Sequence, residues 1–71
     1  MADRPFPSFL IYVDTAGEFR WRYQASNAKT IADSGEGYKA LADCKHGISL
    51  VQQSGKSPVW QTQAVTDRER R

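Results

Sequence analysis

Apolar residues recur along this chain with two different periods. Phe9, Ile11 and Val13, and then Phe19, Trp21 and Tyr23, alternate with residues of the opposite parity, among them Arg20, Arg22 and Gln24. A period of two gives a strand one apolar face and one polar face. From Gly37 onward the spacing changes to three and four: Gly37, Ala40, Leu41, Cys44, Gly47, Ile48 and Val51 fall on one stripe of a helix. Lys39, Asp43, His46 and Gln53 lie opposite that stripe. The two periods predict a hairpin followed by a helix over about Tyr38 to Gln53.

Turn chemistry fixes the details. Asp14-Thr15-Ala16-Gly17 fits a type I turn closed by a left-handed glycine, a common three-residue hairpin loop that pairs Asp14 with Glu18. Counting back from it sets a first strand, about Ser8 to Val13, with Val13 opposite Phe19, Ile11 opposite Trp21 and Phe9 opposite Tyr23. Two apolar rows then share one face, the core face. Leu10, Tyr12, Arg20 and Arg22 occupy the other.

Ser26-Asn27-Ala28-Lys29 reads as a second tight turn, leading to a third strand near Lys29 to Asp33. A type I′ turn would force Ala28 to positive φ at a steric penalty, so a different turn type is also open. Ser34-Gly35-Glu36-Gly37 connects to the helix, which ends at Ser54-Gly55 with Pro58 beyond. Pro58 to Val65 predicts a fourth strand, with Trp60, Thr62 and Ala64 on one face. The expected fold is α+β: two layers, an antiparallel sheet, element order β-β-β-α-β.

With 71 residues there is room for one domain, expected over residues 8–65, between an arm with Pro5 and Pro7 (1–7) and a charged tail (66–71). A chain this short buries only about 60% of the surface its unfolded form exposes. It has one cysteine and no metal-ligand cluster, so the expected support is a second copy of itself. Gly47 in a helix interior costs about 1 kcal/mol relative to alanine, which predicts that another backbone approaches it closely. Gly47, Val59, Trp60 and Thr62 are the candidate dimer contacts. The linker Ser54-Gly55-Lys56-Ser57 has the reach to carry the last strand to a neighbour.

The net charge of +2 neither requires nor excludes nucleic acid. Cys44 has no intramolecular partner for a disulfide, and the run Phe9 to Val13 is too short for a signal peptide core or a membrane span. A cytoplasmic protein without membrane association is expected. Cys44 and His46, two apart on a helix, point about 200° from each other and cannot share a metal. Cys44 sits within the apolar stripe as a small buried hydrophobe. Asp14, Glu18, Glu36 and Asp43 have turn or helix-start explanations and no paired acid or base. No catalytic residue, metal site or cofactor is expected. Tyr12, Arg20 and Arg22 share the face away from the helix, where arginine beside an aromatic ring suits phosphate contact and base stacking. Arg20 stacked on Tyr12 within the chain is the simpler use of the same residues.

Phe9, Ile11, Asp14, Ala16-Gly17-Glu18, Arg20-Trp21-Arg22, Ala25-Ser26-Asn27, Ile31-Ala32, Ser34-Gly35-Glu36-Gly37-Tyr38, Ala42-Asp43-Cys44 and Gly47-Ile48 together resemble the YegP-type family of small bacterial domains, whose function is not established. The resemblance covers roughly residues 9 to 53. The chain departs from it at Ala28, where glycine is usual, and at Leu41, where lysine is usual. It implies three strands, a helix and a fourth strand, paired as a dimer or as tandem copies with one continuous sheet and exchanged C-terminal strands. For a single copy it implies a homodimer, and it carries over no catalytic residues. The expected function is a non-enzymatic homodimeric interaction module with an unknown protein partner. The alternative is weak single-stranded nucleic-acid binding through Tyr12, Arg20 and Arg22.

Overall fold

The computed structural model of the protein describes residues 4–70. Strands β1 (Ser8–Val13), β2 (Phe19–Gln24) and β3 (Thr30–Asp33) form an antiparallel sheet in the order β1-β2-β3. Helix α1 (Leu41–Gln52), a 3-10 turn over Ser54–Lys56 and helix α2 (Gln63–Glu69) follow.

The hairpin register is the one the turn dictates: Phe9 faces Tyr23, Ile11 faces Trp21 and Val13 faces Phe19. Gly17 adopts φ 81° and donates its N–H to the Asp14 carbonyl at 3.0 Å, while the Asp14 N–H reaches the Glu18 carbonyl at 2.9 Å. The second loop repeats this geometry, which resolves the turn type. Ala28 adopts φ 67° and donates to the Ala25 carbonyl at 2.8 Å, and the Ala25 N–H reaches the Lys29 carbonyl at 2.8 Å. Asn27 Oδ1 accepts the Lys29 N–H and Gln24 Nε2 donates to the Ala28 carbonyl, holding the alanine in place. Beyond this loop the register shifts between Tyr23 and Gln24, so β3 is short and irregular.

Helix α1 lies over β2, and Trp21 and Cys44 are the buried apolar side chains among the described residues, Cys44 completely so. Phe9 packs edge-on against Trp21 and tilted against Tyr23, with ring centroids 5.6 and 4.8 Å apart. The helix starts three residues later than its apolar spacing predicts. Tyr38 is held in a bridge to β2 instead, exchanging N–H···O bonds of 2.7 and 2.8 Å with Phe19. A backbone committed to a sheet cannot also turn into a helix. Gly37 therefore belongs to this extended approach and not to the helical stripe: a Cβ there would lie 2.6 Å from Glu18 Oε1 and 2.9 Å from Glu18 Cβ.

The expected fourth strand does not form within the chain. Ser57 is extended, and the residues up to Thr62 have neither ladder nor helix, after which Gln63 begins α2. Gln63, Ala64, Arg68 and Glu69 are good helix formers, and Gln63 Nε2 bonds Asp67 Oδ1 one turn on at 2.9 Å, which draws the last expected strand residues and the charged tail into one short helix. A strand also needs an edge to pair with, and this segment meets none in its own chain. The molecule is consequently elongated, 48 × 27 × 25 Å, with a radius of gyration of 15.6 Å. A compact chain of this length would have about 11 Å.

At the other end, the segment before β1 is tied down from Arg4 onward. The Arg4 guanidinium donates to Ser8 Oγ at 3.0 Å and to Gln24 Oε1, and lies over the Phe6 ring. Residues 1–3 of the expected loose arm lie outside the described residues.

Candidate functional site

Asp14 organises the polar face of the hairpin. Its Oδ1 accepts the Ala16 and Glu18 N–H groups at 2.9 and 3.0 Å, and its Oδ2 accepts Arg20 Nε at 2.6 Å. One carboxylate thus closes the loop and captures an arginine from β2. The Arg20 hydrogen bond, then the Glu18 amide, holds the Asp14 carboxyl below its usual range. The same contact raises the Arg20 guanidinium further above its own.

With Arg20 held by Asp14, the arginine over Tyr12 is Arg22 and not Arg20: its guanidinium carbon lies 4.4 Å from the ring centroid. The register pairs Tyr12 with Arg20 directly, so Arg22 reaches the ring from the diagonal position. The structure therefore brings Tyr12, Arg20 and Arg22 onto one face and gives both arginines partners within the chain. Sequence reasoning missed the Asp14–Arg20 pair. The available signal was a turn aspartate whose side chain stands beside the second residue of β2.

Beneath the helix, Gly47 lies close against side chains of Tyr38 and Trp21. A Cβ at this position would lie 3.0 Å from the Tyr38 hydroxyl and 3.2 Å from Trp21 Nε1. Within the chain, the neighbours a Cβ at this position would meet first are side chains. Trp21 Nε1 is buried without an acceptor in hydrogen-bond geometry among the described residues. Burial, and then the charge of Glu36, raises the Tyr38 phenol above its usual range. Burial alone raises the Cys44 thiol.

The remaining candidates sit on the projecting segment. Val59 is 96% exposed and Trp60 88%, and Thr62 is exposed beside them. Among the described residues there is no cavity, no group of three acidic, histidine or cysteine side chains placed to hold a metal, and no helix long and apolar enough to cross a membrane.

These features define a small α+β module, a three-stranded antiparallel sheet covered by one helix, whose chemically available parts are surfaces and an arm. The chain belongs to the DUF1508 family, a domain of unknown function, whose sequence pattern matches residues 14–58. This is the family that the hairpin and Ser34-Gly35-Glu36-Gly37-Tyr38 motifs resemble. A UPF0339 protein of Neisseria meningitidis serogroup B is 46% identical over 43 residues, 61% of this chain and 75% of that relative. A UPF0339 protein from the ptx operon region of Stutzerimonas stutzeri is 45% identical over 47 residues, 66% of this chain and 41% of the relative. The solution structure of a protein from Haloferax volcanii superposes with a TM-score of 0.71 at 36% identity, covering 78% of this chain and 93% of that one.

Proposed function

We propose that the protein is a non-enzymatic interaction module that works as a homodimer, the two chains exchanging their C-terminal segments. The observation that carries this reading is the amount of surface left open. The chain exposes 5987 Å², whereas a folded monomer of 8.0 kDa exposes about 4,500 Å². The excess, about 1,500 Å², is more than the roughly 800 Å² each partner contributes to a standard interface. Much of it is apolar: Val59, Trp60 and Val65 on the projecting segment, and Leu50 and Val51 on α1. A second chain that receives Val59, Trp60 and Thr62 removes that surface from water.

Two further facts support pairing. The Stutzerimonas stutzeri relative is long enough to hold the matched region twice, as expected if two copies make one working unit. The arginines of the alternative nucleic-acid face are already engaged, Arg20 by Asp14 and Arg22 by Tyr12, which favours the dimer over phosphate binding by that face. Isotope-labelled and unlabelled chains, mixed, unfolded and refolded together, test the reading by native mass spectrometry. The dimer predicts labelled, mixed and unlabelled pairs in a 1:2:1 ratio, as random pairing of equal amounts gives. Monomer masses alone would refute it.

A further inference from the structure

We propose that the segment before β1 is a strap that sets the second hairpin loop, the two being coupled through the side chain of Gln24. With the strap fastened at Arg4, the loop and the edge strand that follows it are held. When Arg4 lets go, both loosen as one unit. The device is independent of the exchange proposed above and operates within one chain.

Gln24 is the junction at this end of the sheet. It ends β2, pairs with Ser8 on β1 and with Thr30 on β3, and stands at the register shift that interrupts the second ladder. Its side-chain amide is used at both ends. Oε1 accepts from the Arg4 guanidinium, and Nε2 donates to the Ala28 carbonyl at 2.8 Å. Arginine can only donate and a carbonyl can only accept, so these two neighbours together admit one orientation of the amide. The reverse orientation would set N–H against guanidinium and oxygen against oxygen. Arg4 therefore selects the orientation in which Nε2 reaches the loop.

The strap end of this relay is braced. Arg4 also donates to Ser8 Oγ at 3.0 Å, and its guanidinium carbon lies 4.8 Å from the Phe6 ring centroid. The loop end is the weaker one. Ala28 adopts φ 67°, a conformation that its Cβ disfavours. Asn27 Oδ1 accepts the Lys29 N–H at 3.1 Å from within the loop, but the Ala28 carbonyl is held from outside it, by Gln24. Beyond the loop, all four residues of β3 are exposed and their ladder is irregular. An element with so few buried contacts opens locally before the rest of the molecule does. The first hairpin loop makes the contrast, because the Asp14 side chain closes it from within by accepting the Ala16 and Glu18 N–H groups. Two loops of like backbone geometry are thus held differently, one by its own aspartate and the other by the beginning of the chain.

Amide hydrogen exchange of the full chain, followed by NMR, tests the coupling in two variants. Arg4→Ala should speed exchange of the Ala25 and Ala28 amides at least about 5-fold, the low end of coupling between linked sites, while the Asp14 and Gly17 amides keep their rates. Gln24→Glu separates the two halves of the relay. Its carboxylate holds Arg4 more strongly but has no N–H for the Ala28 carbonyl, so the loop amides should speed up while the Arg4 guanidinium protons slow. Unchanged Ala25 and Ala28 rates in Arg4→Ala, or unprotected amides at both positions in the parent, would overturn the proposal. Equal acceleration at both loops would overturn it too, since that is a general loss of stability. Unchanged or slowed loop exchange in Gln24→Glu would show that the amide does not hold the loop, with the same result.

Discussion

Ala28 occupies, in the second hairpin loop, the left-handed backbone position that Gly17 occupies in the first, at φ 67° against 81°. An L-residue with a Cβ is disfavoured there by about 1–2 kcal/mol, partly offset by alanine's smaller loss of chain freedom on folding. Ala28→Gly should therefore stabilise the protein by about 0.5–1 kcal/mol, raising Tm by roughly 4 °C. Gly17→Ala should lower it by a comparable amount. Thermal melts of the two variants check the symmetry, and a destabilised Ala28→Gly would contradict the loop assignment.

The Asp14–Arg20 pair predicts an acid limb in the stability profile. The folded-state Asp14 pKa is lowered, so the ionised carboxylate contributes stability that is complete above the ordinary aspartate value near 3.8 and is lost as pH falls through the lowered value. Asp14→Asn should melt several degrees lower at pH 7, and the difference from the parent should shrink below about pH 4. A constant difference across that range would show that the charge is irrelevant to the loop.

Gly47 faces Trp21 Nε1 and the Tyr38 hydroxyl across gaps that leave no room for a branched side chain. Gly47→Val should cost about 1–3 kcal/mol through overpacking, despite replacing a glycine inside a helix. Near-ultraviolet circular dichroism should report the displaced tryptophan. An unchanged spectrum with raised stability would contradict the close packing.

Because both arginines of the open face are engaged, titration with labelled single-stranded RNA or DNA at moderate salt should give no binding. Salt-sensitive binding that disappears when Arg20 and Arg22 are both changed to glutamine would restore the alternative reading.

The hairpin was legible because two independent signals, the Asp14 to Gly17 turn and the paired apolar rows, require one register. Cys44 was legible from helical spacing. Gly37 and Tyr38 fit that spacing too, yet the bridge to Phe19 claims their backbone, a tertiary demand that no local pattern carries. Alternation over Pro58 to Val65 reads as a strand, but the helix formers from Gln63 onward prevail where the segment meets no sheet edge in its own chain. The switch from Arg20 to Arg22 above Tyr12 follows from Asp14, whose side chain was assigned only to its turn.

The exchanged dimer is tested most directly by the molar mass of the intact chain in solution. Light scattering across a dilution series down to low micromolar concentration should give about 16 kDa, twice the 8.0 kDa chain, as an interface of this size predicts. Trp60→Ser should move the mass toward one chain at the same concentrations. A constant 8.0 kDa for the parent chain throughout the series would contradict the exchanged dimer.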